Sequence, residues 1–176
     1  MESHPYTICG TYTEGHITIL VKSLGDYTKN LFKKLTINTT ALIEGPYGNF
    51  DHKLGKEKQI WIAGGVGIAP FVSWCRDVEN NYMSGLDIDF YYCVNNELDA
   101  FHLYEFEKLA KAMPKFHVNL VCSDKTGFIK GSDIKELRER TIFICGPKVM
   151  RNALLKDFKR LEVPKDNIIY EDFELL

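Results

Sequence analysis

The stretch QIWIAGGVGIAPFVSW, residues 59–74, is the longest apolar run in the chain, and three glycines and a proline interrupt it. A transmembrane helix needs roughly 20 apolar residues without such breaks, so this run is not a membrane span. A strand buried on both faces reads as a continuous apolar run, and QIWIAG fits that description. The glycines then predict a sharp turn, and PFVSW predicts the start of a helix, with Pro70 in the first turn where its missing N–H costs nothing.

The same alternation recurs downstream. DIDFYYCV, FHVNLVCS, TIFICG and NIIYEDF predict strands. PFVSWCRDVENNY, FHLYEFEKLAKAM, a short segment around SDIKELRER, and KVMRNALLKDFKRL predict the helices between them. Strands apolar on both faces that alternate with helices predict a parallel sheet of five or six strands, covered on each side. Ahead of this region, YTICG, HITILVKSL and ALIEGPYG predict strands from β-branched content. DYTKNLFKKL predicts an amphipathic helix between the last two of these, and the polar stretch NFDHKLGKEK predicts a linker.

Composition narrows the function classes. The 176 residues carry a net charge of −2 with lysines and acids interspersed, so there is no electrostatic footprint for nucleic acid. The five cysteines, Cys9, Cys75, Cys93, Cys122 and Cys145, are scattered singly. Without a C-x-x-C pair they signal neither a zinc site nor a dithiol redox centre, and no metal site is expected. Free thiols fit a reducing compartment, and MESHPYTICG lacks the layout of a signal peptide. A cytoplasmic location is the expectation.

In an open α/β sheet the ligand crevice lies at the C-terminal strand ends. Gly64, Gly65 and Gly67 would let backbone amides approach an anion at the following helix start. The plain alternative is a tight strand-to-helix connection that binds nothing.

GGVGIAP, followed by ICGPKVM and a terminal YEDF, resembles the nucleotide-binding domain of the ferredoxin–NADP reductase superfamily. HPYT, GDYTKNLF and IEGPYGNF are similar to the flavin-binding region of ferric reductases and NADPH oxidases, whose dehydrogenase part follows a haem-carrying membrane domain. The six motifs stand in the family's order from residue 4 to residue 173. The resemblance implies an α/β fold: a parallel-sheet NAD(P)-binding domain over 53–176, preceded over 1–52 by the C-terminal half of an antiparallel flavin-binding β-barrel. In the family HPYT lies mid-barrel, whereas here it begins at residue 4. The first half of the barrel and any membrane domain are therefore expected to be missing, and weak FAD binding is expected of the chain alone.

The implied activity is that of a flavin reductase. NADH or NADPH gives a hydride to FAD, and electrons pass singly to a haem or ferric acceptor at the cytosolic face of a membrane that this chain does not itself enter. The alternative is a nucleotide-binding regulatory or electron-transfer module without independent catalysis. The resemblance assigns Tyr6 to the flavin ring face and Thr7 to a hydrogen bond near its N5, with Pro5 in the same motif. It places His4 and Lys22 toward the flavin ribose and pyrophosphate. Gly25 and Thr28 would meet the pyrophosphate at a helix start, where Asp26 or Thr28 could equally be a simple cap. Gly64, Gly65, Gly67, Pro70, Gly146 and Pro147 would hold the NAD(P) moiety. Cys145 would stand beside the nicotinamide, Phe173 would stack on the flavin, and Glu171 would handle protons. As residues alone, Cys145 and Phe173 equally suit a core. NADPH-using relatives carry an arginine after the second strand of this domain. Here Asn95 and Asn96 are followed by Glu97 and Asp99, so NADH is expected to be preferred unless Lys125 compensates.

Overall fold

The structure is a computed structural model that describes residues 4–10, 15–23, 25–81 and 85–171. Five parallel strands form its sheet: β1 (Lys58–Gly64), β2 (Asp87–Val94), β3 (Phe116–Cys122), β4 (Thr141–Cys145) and β5 (Ile168–Tyr170). Their order is β3-β2-β1-β4-β5. Helix α1 (Asp26–Lys34) precedes the sheet in sequence, and α2 (Ala69–Asn81), α3 (Leu103–Ala112), the one-turn α4 (Ser123–Thr126) and α5 (Lys148–Arg160) connect its strands.

The central strand shows why the sheet is covered on both sides. Trp61 and Ala63 of β1 belong to one core with Phe71 and Trp74 of α2 and Phe106 of α3. Ile60 and Ile62 belong to the other, with Leu154 and Phe158 of α5. Each fully buried side chain of this size is worth about 1.5–3 kcal/mol, so both layers are held by the same short segment. Trp74 anchors the first core, with ring centroids 5.2 Å from Trp61, 5.0 Å from Phe71 and 5.1 Å from Phe143.

Three expectations need correction. Instead of three strands before residue 53, the described residues hold no named strand there, and an antiparallel bridge joins Ile8 to Ile19, with Cys9 N–H donating to the Thr18 carbonyl at 2.9 Å. Residues 41–48 join no named strand. Backbone needs a neighbouring strand to become a ladder, and β-branched content alone does not supply one.

The stretch expected as a linker is instead packed down. Phe50 lies 4.8 Å from Trp74 between ring centroids. His52 is buried, with Nε2 at 2.9 Å from Asp77 Oδ2. The Lys56 N–H donates to Thr141 Oγ1 at 3.0 Å.

The segment SDIKELRER forms only a 3-10 turn at Gly131–Asp133 and then leaves helical geometry, with Glu136 at φ 53. The competing demand is Arg140. It is buried and bonds Asp87 at 2.7 Å, and Glu136 reaches back to it at 2.9 Å. A buried cation must be paired, and that requirement outweighs the helical pattern.

Candidate functional site

The strand order reverses between β1 and β4: β2 and β3 lie to one side of β1, and β4 and β5 to the other. This is the topological switch point, where ligands bind in open α/β sheets. Both glycine turns sit there. Ala63 pairs with Cys145, so Gly64 and Gly146 leave the sheet side by side. A Cβ on Gly146 would lie 2.9 Å from both Gly64 Cα and Gly64 N. The packing at Gly67 is closer still, since a Cβ there would overlap the Cys145 carbonyl oxygen and lie 2.5 Å from its carbon and 2.7 Å from Gly146 Cα. Gly65 has φ 54, the left-handed region that glycine tolerates. Pro70 is buried in the first turn of α2, and Pro147 caps α5. The turn, with glycine at 64, 65 and 67, therefore brings backbone to the start of a long helix, a geometry suited to an anion.

Around this turn the structure gathers several of the expected residues. Lys22 is exposed, and its Nζ lies 3.8 Å from where a Gly65 Cβ would stand. Cys145 is fully buried, and that burial, with the nearby Glu171 charge, pushes its thiol well above the usual range. It is not a nucleophile at neutral pH. Glu171 is tied to β4 by its N–H, which donates to the Ile144 carbonyl at 3.2 Å. Burial pushes its carboxyl above the ordinary value. Its Oε1 lies 3.8 Å from where a Gly48 Cβ would stand, so the GPYG segment borders the same acid. Asp172 and Phe173 lie outside the described residues.

In the flavin-like motifs, the His4 ring stacks on Tyr27 with centroids 3.7 Å apart. Pro5 is exposed, and Tyr6 and Thr7 are half-buried. The Tyr6 hydroxyl is buried with no hydrogen-bond partner among the described residues, and burial followed by the neighbouring Tyr27 raises its pKa. At α1, Gly25 is the N-cap. Its N–H donates to Thr28 Oγ1 at 3.1 Å, and the hydroxyl donates to the Gly25 carbonyl at 3.2 Å. The N-cap is therefore Gly25 rather than Asp26 or Thr28, with Thr28 bonding back to it from the third helical position, and a side chain on Gly25 would meet nothing within 4 Å, leaving the helix start open.

The loops after β2 and β3 hold the residues expected to choose the nucleotide. Asn96 is used locally: its Oδ1 accepts from the Leu98 N–H at 3.0 Å, and its Nδ2 donates to Asp99 at 3.0 Å. The Asn95 carbonyl accepts from the Asp124 N–H at 3.0 Å, joining the two loops. Lys125 is bonded to Glu97 at 2.8 Å on the surface.

Two residues at the site were not anticipated. Met150 packs against both turns, with its Cε 2.8 Å from a Gly64 Cβ and 2.7 Å from a Gly146 Cβ. Arg151 is buried, donates to the Glu171 carbonyl at 3.4 Å and lies over the Tyr170 ring at 5.2 Å. Its signal was legible, since Arg151 stands in helical register with the buried Leu154 and Phe158.

The family described as oxidoreductase NAD-binding domain matches residues 61–156. The chain belongs to this family. An FAD-binding domain family matches residues 1–51, so FAD- and NAD-binding regions are both identified. A curated relative is a component of the Na(+)-translocating NADH-quinone reductase of Klebsiella pneumoniae, 32% identical over 147 residues that cover 74% of this chain and 36% of that protein. The chain thus spans about a third of the length of that relative.

Among solved structures, the cytochrome b5 reductase domain of Ulva prolifera nitrate reductase aligns with a TM-score of 0.76 at 22% identity, covering 94% of this chain and 78% of that one. The ferredoxin-NADP+ reductase of Plasmodium falciparum aligns with a TM-score of 0.75 at 22% identity, covering 96% and 76%. The fold is the parallel five-stranded α/β type of the ferredoxin reductase superfamily.

Proposed function

We propose that the chain is the reductase portion of a flavin-dependent oxidoreductase, with residues 1–52 serving FAD and residues 53–176 serving NAD(P)H. The observation that carries this reading is the pair of glycine turns packed together at the switch point, with Glu171 and Cys145 beside them. With both bound, the cofactors would supply hydride transfer from NAD(P)H to FAD and single-electron release to a haem or ferric acceptor. The chain's own residues supply position and charge. The amides of Gly65 and Gly67 face the dinucleotide pyrophosphate, and the Lys22 ammonium offsets its charge. The missing side chain at Gly67 lets this turn pack directly on the Cys145–Gly146 backbone, which fixes the two turns side by side. The unpartnered Tyr6 hydroxyl fits a polar ligand on the flavin side. Cys145 packs at the nicotinamide without ionising, and Glu171, kept protonated more readily by burial, stores a proton near it.

NADH is the favoured donor in this reading. Glu97 already neutralises Lys125, and Asn96 is committed to its own loop, so no free cation faces a 2′-phosphate from these positions. The acceptor is proposed to be a haem-carrying membrane domain of the ferric reductase type or a ferric centre at the cytosolic face. Among the described residues no helix is long and apolar enough to cross a membrane. A second reading, a nucleotide-binding module without independent catalysis, draws on the exposed apolar residues before the sheet, such as Phe32 at 91% and Leu42 at 86%.

The test is anaerobic mixing of the FAD-supplemented protein with NADH while flavin absorbance is followed. Bleaching that saturates with NADH supports the reductase reading. NADH binding without bleaching, at saturating FAD, refutes it in favour of the second.

A further inference from the structure

The two parts of the chain meet at Arg76 on α2. Its Nε and Nη2 donate to the two carboxylate oxygens of Glu105 on α3, at 3.0 and 3.1 Å. The remaining arm, Nη1, donates to the Cys9 carbonyl at 3.2 Å. Cys9 lies two residues beyond Thr7 and is fully buried in the core that α2 and α3 share. The segment is pressed onto the guanidinium, for a Cβ on Gly10 would lie 3.1 Å from Arg76 Nη1.

Glu105 is itself fixed by His102 Nδ1 at 2.7 Å. Burial pushes the Glu105 carboxyl up, but the His102 and Arg76 contacts outweigh it and leave it below its usual value. An ionised carboxylate held from two sides orients a planar fork, and that orientation aims Nη1 at residue 9. On the same helix the next residue, Asp77, receives His52 and Lys53 at 2.9 Å each. Helix α2 is therefore gripped at one level by both the segment at residue 9 and the segment at residue 52, and its N-terminus begins at the glycine turn.

We propose that Arg76 is a positioning residue, which locks the segment bearing Tyr6 and Thr7 to α2 and so sets its distance from the turn at Gly64–Gly67. The consequence for hydride transfer rests on the reductase reading above. The lock itself does not. Reacting atoms must stand about 3–3.5 Å apart, and an error of 1 Å can lower a rate roughly hundredfold.

The test uses Arg76→Ala, Arg76→Lys and Glu105→Gln in the full chain, with thiol alkylation read separately at each cysteine by peptide mass spectrometry. Loss of one charge-assisted hydrogen bond corresponds to roughly a ten- to hundredfold change in opening. Arg76→Ala should raise labelling of Cys9 by about that factor while Cys122 and Cys145 keep the parent rate. Arg76→Lys and Glu105→Gln should fall between, because each keeps part of the fork's contacts. With saturating FAD, Arg76→Ala should also slow flavin reduction by about tenfold or more with NADH affinity unchanged, and Arg76→Lys should recover part of the rate. Unchanged Cys9 labelling, or a parallel rise at all cysteines in both Arg76 variants, would overturn the lock. An unchanged reduction rate in Arg76→Ala would overturn the positioning role. If the parent itself fails to reduce flavin, the reductase reading falls, and the labelling pattern still decides the lock.

Discussion

Gly67→Ala is the sharpest single perturbation of the site. The added methyl would overlap the Cys145 carbonyl oxygen and sit 2.5 Å from its carbon, roughly 1 Å inside van der Waals contact. These neighbours are backbone atoms of β4 and its turn, so no side chain can swing aside. The turn at 65–68 and the turn at 146 must separate by about 1 Å. Overpacking in a buried site costs about 1–3 kcal/mol, and a backbone obstacle places this case near the upper figure. For a chain of this size each kcal/mol shifts Tm by about 2–4 °C, so a fall of about 6–12 °C is expected. The same displacement moves the amides proposed to face the pyrophosphate, and NADH affinity should drop at least about tenfold. Gly85→Ala is the matched control, because a Cβ there meets nothing within 4 Å, and its stability should stay within about 0.5 kcal/mol of the parent. Differential scanning calorimetry and an NADH titration on both variants supply the comparison. A Gly67→Ala protein that behaves like Gly85→Ala in both would show that the turns are not packed as described.

Glu97→Gln should release Lys125 for a 2′-phosphate, raising NADPH affinity roughly tenfold with little change for NADH. Equal titrations of NADPH with both proteins would contradict that. Burial raises the pKa of Glu171, so the folded chain holds this proton more tightly than the unfolded one. The stability tied to it is full below the ordinary value of 4.5 and is lost as pH rises through the folded value. Glu171→Gln should therefore raise Tm at neutral pH but not in acid below that value, and thermal melts across pH would show a constant offset if the reasoning is wrong. FAD should bind weakly to the chain alone, since so much apolar surface before the sheet is exposed. Stoichiometric flavin after purification would refute this.

The sheet was legible because its inner strands β1 and β4 are buried on both faces, read as apolar runs and lie where expected. The glycine turns were legible for a related reason, since small residues bunched after a strand leave few alternatives to a tight turn. The packed segment at 50–56 was not. Phe50 and His52 sit among polar neighbours, and two isolated rings make no periodic pattern. Nor could the ion pairs be read, because Arg76 with Glu105 and Lys125 with Glu97 join residues far apart in sequence. The strands expected before residue 53 show the reverse error, with β-branched content present but ladder partners missing among the described residues.

The most direct measurement is amide chemical-shift mapping of the isotopically labelled chain during an NADH titration. The expected result is saturable shifts at Gly65, Gly67 and Gly146, with smaller ones in the loops after β2 and β3. Shifts confined to residues 48–54 and the part of α2 they pack against, or none at the glycine turns while NADH binds, would contradict a dinucleotide site at the switch point.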